Sequence, residues 1–246
     1  MLKICAVSYL NTKPYVVGLE HLKQLENIEY TLEYPSLCAK KFIKNEVDIA
    51  LLPVAVLKNL IQPYFQFANM GIASNGSVNT VCLFSQNEIN NIHTIYLDYQ
   101  SKTSVELIKI LCRNLWHISP VFKPLTQEEI NLGAGEAVVV IGDRAIPMLA
   151  KYKFVYDLGE HWKELYHLPF VFAIWVSNKE LPPRFIQNFK DAMDIGFHNI
   201  DEIVATYDNV FSDFNFSIKK YLNSTIVYNL SDKYFEGMNK FLELLD

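Results

Sequence analysis

The sequence predicts an α/β protein folded as two lobes around a cleft. Three observations lead there. Short apolar runs of strand length alternate with amphipathic runs of helix length. The alternation is interrupted by "CLFSQNEINNIHT" and then restarts at residue 94. After Ser177 the pattern is helical, in "PPRFIQNFKDAMDIGFHNI", "SIKKYL" and "DKYFEGMNKFLELL", and such helices need a sheet to cover.

In the first unit "KICAV" reads as a strand, followed by a helix from Tyr15 to Gln24 for which Pro14 suits the first turn. "IEYTLEY" alternates with period two, and "SLCAKKFIKNE" is helical with Ser36 as a plausible N-cap. "VDIALLP" is a buried strand and "VAVLKNL" a short helix. This βαβαβ order predicts a parallel sheet with helices on its faces. In the second unit "TIYLD" (94–98) is a strand, and "TSVELIKILCRNLW" (103–116) is an amphipathic helix. "EAVVVIGD" (136–143) is a very apolar strand, and "RAIPMLAKY" is a helix containing Pro147. "FVYDLG" and "FVFAIWVS" are further strands. A helical tail returning to the first unit makes one lobe of residues 1–85 plus 177–246, with 86–176 inserted as the second. Two crossing segments then form a hinge, and ligands favour the cleft between such lobes.

Composition narrows the function. The chain has 246 residues, half hydrophobic and a fifth charged, enough for a sizeable core. Its formal charge is −5 and no basic tract occurs, so nucleic acid is not an expected partner. A small anion remains compatible, because a local cluster of donors binds it whatever the net charge. No 18-residue uncharged apolar stretch exists, so no membrane span is expected. The apolar run at the N-terminus is too short for a secretory signal core, which predicts a cytoplasmic protein. Cys5, Cys38, Cys82 and Cys112 lie far apart in apolar or helical contexts and read as free, buried thiols. No CxxC pair or His/Cys cluster has zinc spacing, and His161 and His167, six apart, do not share a helical face. No metal is expected.

Four polar clusters punctuate strand ends, where open parallel sheets bind ligands. The first, "SYLNTKP", holds Ser8, Tyr9, Asn11 and Thr12. Asn11 offers one acceptor and two donors but cannot act as a general base at neutral pH, and taken alone it reads better as a turn-forming residue. The second, "IASNGSVNT" (72–80), holds Ser74, Gly76 and Thr80. Gly76 permits positive φ there, in a binding loop or in a plain hairpin turn. The third, "DYQSKTS" (98–104), sets Ser101, Thr103 and Ser104 at a helix start, where hydroxyls and free N–H groups cradle a carboxylate, or simply cap the helix. In the fourth, Asp143 precedes Arg144 and either orients a ligand hydroxyl or caps the helix at 144–151. Trp162, Phe170, Phe172 and Trp175 read as core rather than ligand platform. No P-loop, GxSxG, HExxH or paired catalytic carboxylate motif is present.

Seven stretches in order resemble the chorismate dehydratase family, which opens the futalosine route to menaquinone. They are "VSYLNTKP", "VDIALLPVA", "IASNGSVNTVCLFS", "YLDYQSKTS", "VVVIGDRAI", "YDLGEHWKELYHLPFVFAIW" and "YLNSTIVYNLSDKYFEGMNKFLELL". The resemblance implies a type 2 periplasmic-binding-protein fold and a cytoplasmic enzyme without metal or organic cofactor. It implies removal of water from chorismate to give 3-[(1-carboxyvinyl)oxy]benzoate. Asn11 is then the expected catalytic residue. Ser8, Tyr9, Thr12, Ser74, Gly76, Thr80, Ser101, Thr103, Ser104 and Asp143 are the expected substrate contacts. Ser77 stands where the family usually has Pro, Thr80 where it has Ser, and Lys102 where Arg is common. A non-catalytic solute-binding protein of the same fold is the main alternative, and it predicts an export or lipoprotein signal. The related 1,4-dihydroxy-6-naphthoate synthases open with a Ser-Pro-Cys-Pro-Asn-Asp-like motif where this chain has "SYLNTKP".

Overall fold

The computed structural model describes residues 1–126 and 130–245. The chain begins β1 (Leu2–Val7), α1 (Lys13–Leu25), β2 (Ile28–Glu33), α2 (Pro35–Ile43), β3 (Ile49–Pro53), α3 (Val54–Leu57) and β4 (Phe65–Ser74). It then crosses into β5 (Val81–Ser85), β6 (Thr94–Leu97), α4 (Thr103–Asn114), β7 (Val121–Pro124), β8 (Glu136–Ile141) and β9 (Phe154–Asp157). It returns through α5 (Leu158–Tyr166) to β10 (Phe170–Ser177), α6 (Pro183–His198), α7 (Ile200–Phe211), α8 (Ile218–Lys220), β11 (Val227–Asn229) and α9 (Asp232–Glu243). Among the described residues no helix is long and apolar enough to cross a membrane.

Two sheets result, ordered β11-β4-β10-β3-β1-β2 and β7-β6-β8-β5-β9. β1 runs parallel to β2 and β3, as helix-linked strands must. The sheet is nevertheless mixed, because β10 is antiparallel to both β3 and β4. The cause is topological: β4 carries the chain out of this sheet and the neighbouring β10 brings it back, so the two run in opposite directions. The second sheet is mixed for a similar reason, with β5 antiparallel to β8 and β9.

The sheets do not divide at residues 85 and 177. β5 belongs to the second sheet and β10 to the first. Every residue of both strands is buried. Strands apolar on both faces carry no alternation, so nothing in "VCLFS" or "FVFAIWVS" says which sheet they join. The segment expected as a helix after Asp143 is a tight 3₁₀ stretch, Gly142–Met148. Pro147 lacks the N–H that an α-helix would need and clashes with the preceding turn.

The tail packs on the first sheet's side of the molecule. β11 pairs with β4, and α6 lies against α1 with their backbones touching at two glycines. A Cβ on Gly18 would sit 2.8 Å from the Ala192 carbonyl oxygen, and one on Gly196 only 1.9 Å from that of Pro14. Trp162, Trp175, Tyr15, Phe170, Phe189 and Phe241 are among the largest fully buried side chains, and all four cysteines are buried and free. Gly196→Ala is expected to force α6 off α1. Overpacking of this kind costs about 1–3 kcal/mol, so calorimetry should show a clearly lowered melting temperature.

Candidate functional site

The cleft between the sheets is built from strand ends. After Val7 the backbone N–H of Ser8 still donates to Glu33 O at 3.0 Å. The chain then tightens into a 3₁₀ turn, Leu10–Thr12, before Pro14 starts α1. That turn swings Tyr9, Asn11 and Thr12 into the cleft. Ser101, Thr103 and Ser104, at the start of α4, face them from the second lobe. Pro53, Ile72, Val78, Val81, Ile141, Phe172 and Ala173 supply apolar walls. The cavity has a volume of about 50 Å³, so the walls lie close together.

Six of the expected residues therefore meet here, with distinct bonding states. Thr12 Oγ1 donates to Asn11 Oδ1 at 3.0 Å, which leaves the Asn11 NH₂ group as a donor. Ser101 Oγ accepts the Ser104 N–H at 2.9 Å, as a helix cap does, and keeps its own proton for another acceptor. Thr103 Oγ1 donates to Phe172 O at 3.1 Å and accepts from Ala55 N at 3.2 Å. Thr103 thus stitches α4 to β10 and α3, and its hydroxyl is already committed in both directions. The hydroxyl of Ser104 makes no hydrogen bond among the described residues, although the residue is buried in the cavity wall. Tyr9 OH donates to Gln100 Oε1, and burial holds the phenol above its ordinary range, so it stays neutral. The Tyr9 ring lies over Gly142, which has φ +65° and no room for a Cβ. No Asp, Glu, His, Lys, Arg or Cys lines the cavity. Among the described residues no group of three or more His, Cys, Asp or Glu could hold a metal ion.

The other expected contacts lie outside this wall. The Ser8 side chain is exposed to solvent. Ser74 Oγ donates to Gly76 O at 2.8 Å, and Gly76, at φ +119°, turns the chain with open space where a Cβ would sit. Thr80 is fully buried behind the wall and bonds Tyr221 OH at 2.6 Å. Asp143 faces Leu10, accepting its backbone N–H at 2.9 and 3.1 Å through the two carboxylate oxygens. Its carboxylate is occupied by the opposite lobe, and burial raises its pKa while the Leu10 N–H opposes that shift. It does not cap the 3₁₀ stretch Gly142–Met148.

Two groups in this region were not expected from sequence. Asp157 accepts from Ser77 Oγ at 2.8 Å and from the N–H groups of Val78, Asn79, Gly159 and Glu160 at 2.6–3.1 Å. Ser77, one of the departures from the family pattern, is thereby held within the fold. "FVYDLG" reads as a strand throughout, so neither the N-cap that Asp157 makes for α5 nor its grip on residues 77–79 was legible. Arg144 pairs with the fully buried Asp98, beside Tyr9 and Tyr99.

Residues 2–246 match the family described as menaquinone biosynthesis. Over 219 residues the chain is 26% identical to a protein named chorismate dehydratase from Thermus thermophilus, an alignment covering 78% of this chain and 80% of that protein. The fold is similar to the solved structure of an Archaeoglobus fulgidus protein, with TM-score 0.75, 18% identity and coverage of 99% and 96% of the two chains. It is also similar to a Candida albicans protein described as having the generic periplasmic binding protein fold, with TM-score 0.64, 16% identity and coverage of 99% and 89%. The architecture is thus the two-lobed periplasmic-binding-protein fold that the sequence resemblance implies.

The Asp143–Leu10 contact ties one lobe to the other, so its loss should let the cleft open. Asp143→Ala is expected to raise the radius of gyration in small-angle X-ray scattering. Asp143→Asn, whose amide oxygen still accepts from Leu10, should keep the parent value.

Proposed function

Because the chain belongs to the menaquinone biosynthesis family, we propose that it is a chorismate dehydratase, eliminating water from chorismate to give 3-[(1-carboxyvinyl)oxy]benzoate. The observation that carries the reading is a cavity rich in neutral donors and, among the described residues, without a carboxylate, imidazole, amine or thiol in its wall.

The chemistry suits such a wall. The departing hydrogen is on the ring carbon that bears the enolpyruvyl ether. Its removal leaves a carbanion conjugated through the ring double bond to the ring carboxylate. The adjacent hydroxyl then leaves, and the ring becomes aromatic, which drives the overall reaction. Ether and hydroxyl are trans, so the hydrogen and the hydroxyl depart from one face. With no protein base in the wall, the substrate's own enolpyruvyl carboxylate takes the proton, and the departing hydroxide carries it away as water.

The protein's work is then to hold one conformation and to stabilise charge. Positioning of reacting groups supplies several kcal/mol of barrier lowering, up to about 7–11 in well-oriented systems. The Ser101 and Ser104 hydroxyls and the start of α4 offer donors and a positive dipole end to a carboxylate. Donors aimed at the ring carboxylate stabilise the developing negative charge. Asn11 donates from its NH₂ group to the leaving hydroxyl or to the enolpyruvyl carboxylate. Thr103 acts on this reading by fixing the helix start rather than by touching substrate.

Incubation of the purified protein with chorismate is expected to yield the aromatic ether. Tight binding without turnover would favour a solute-binding protein instead. Asn11→Ala and Asn11→Asp should both fold normally and both lose most turnover, since each removes the donor. If Asn11→Asp were the more active of the two, a protein base would be at work. The rate at saturating chorismate is expected to stay flat between about pH 6 and 9, where no wall residue titrates. A bell-shaped profile would contradict substrate-assisted proton removal.

A further inference from the structure

Cys5 and Cys38 are distant in the sequence and meet in the fold. Cys5 Sγ donates to Cys38 Sγ at 3.1 Å, and Cys38 Sγ donates to Ala6 O at 3.4 Å. Neither residue has exposed surface. Cys5 is on β1 and Cys38 closes the first turn of α2, so the thiols sit where this helix packs on its strand. Bonded sulfurs stand about 2.0 Å apart, and an approach of about 1 Å joins these two. The other cysteines belong to other elements, Cys82 to β5 and Cys112 to α4.

The pair forms the layer beneath the cavity. Side chains two apart on a strand share a face, so Cys5 projects beside Val7. Residues three apart on a helix share one too, so Cys38 projects beside Pro35. Val7 and Pro35 both line the cavity. Ser36, in the same turn, reaches the second lobe: its N–H donates to Gln100 O at 3.0 Å and its hydroxyl to Tyr99 O at 2.9 Å. The first turn of α2 thus carries a piece of cavity wall and a contact between the lobes, and Cys38 seats that turn on β1.

A surface recess of about 180 Å³ opens beside Cys5, with Ile4, Thr31, Lys41 and Val47 in its wall. Ile4 precedes Cys5 in the chain, and Thr31 stands opposite it on β2. A water molecule takes about 30 Å³, so the recess admits an oxidant of comparable size. Cys5 is the thiol that ionises first. When its proton leaves, the Cys38 thiol turns to donate to it, which lowers the Cys5 pKa against the opposing effect of burial and raises that of Cys38.

We propose that Cys5 and Cys38 are a redox modification site: hydrogen peroxide converts the dithiol to a disulfide, which draws the first turn of α2 onto β1 and moves the cavity wall at Pro35. The Cys5 thiolate attacks the peroxide O–O bond, giving a sulfenic acid and hydroxide, which takes up the Cys5 proton as water. The Cys38 sulfur then attacks the Cys5 sulfur. The S–S bond forms, the S–O bond breaks, and the departing hydroxide leaves with the Cys38 proton as a second water. The dithiol loses two electrons and the peroxide gains them. The linkage does not depend on what the cavity binds; its effect on turnover rests on the chorismate dehydratase reading.

The test uses the full chain, reduced, desalted, treated with hydrogen peroxide, then denatured and alkylated. Mass spectrometry should find two alkyl groups per chain, where the untreated protein with its four free thiols takes four. A proteolytic map should join the Cys5 peptide to the Cys38 peptide. Four alkyl groups after treatment, a link to Cys82 or Cys112 instead, or sulfinic acid at Cys5 in place of the link would overturn the proposal. These outcomes decide the linkage even if the protein leaves chorismate untouched. In the chorismate assay the linked form should turn over about ten- to a hundredfold more slowly, the scale of groups displaced by about 1 Å. Dithiothreitol should restore the rate, which it does not do for oxidised methionine. An unchanged rate in a linked chain that converts chorismate would overturn the effect on the cavity.

Discussion

Asp157 holds the two lobes' connections in one place. The chain passes from the first sheet to the second through residues 75–80 and starts back at α5, and the Asp157 carboxylate accepts hydrogen bonds from both passages. One oxygen caps α5 through Gly159 and Glu160. The other gathers Ser77, Val78 and Asn79. The residue is buried, and its carboxylate is satisfied by these five donors. The positions of Val78, Thr80 and Val81, and hence one side of the cavity, follow from this contact. So does the approach of Thr80 to Tyr221.

The cavity itself departs from the usual logic of anion recognition. A ligand with two carboxylates commonly meets Arg or Lys, yet the wall here carries no formal charge. On the proposed reading neutral donors and the end of α4 take the place of cations, and dipoles shielded from solvent act far more strongly than those in it. The nearby Arg144 is engaged elsewhere: it is paired with Asp98, whose other bonds go to the Gln100 and Ile141 N–H groups. Asp98 and Asp143 both accept backbone N–H groups around the mouth, so their charges serve the architecture rather than the ligand.

The polar clusters of the sequence split along the same line. Tyr9, Asn11, Thr12, Ser101, Thr103 and Ser104 come together because each follows a strand whose end opens on the cleft. Ser74, Gly76, Ser77, Thr80 and Asp143 sit in comparable sequence contexts, but their partners are the fold's own backbone and side chains. A hydroxyl at a strand end satisfies a turn or a ligand equally well, and local pattern does not separate the two. Tyr221, the partner of Thr80, was out of reach for the opposite reason. An isolated tyrosine in "KKYLNST" looks like any amphipathic core residue until a π-helical turn, Tyr221–Thr225, carries it some 140 positions back along the chain to Thr80.

What the sequence by itself determined is local: the strand and helix alternation, the cap and turn chemistry at "SYLNTKP" and "DYQSKTS", the burial of Trp162, Phe170 and Trp175, and through seven ordered stretches the family. These depend on propensity and periodicity, which act over a few residues. Only the tertiary structure decided that β5 and β10 exchange sheets, that β10 runs antiparallel, that Phe172, a core residue, also borders the cleft, and that Thr103 is spent on Phe172 and Ala55. Each of those outcomes is a choice between partners far apart in the chain. Uniformly apolar strands and single hydroxyls carry no mark of which distant partner they will meet, because their preference is satisfied by any buried surface or any well-placed acceptor.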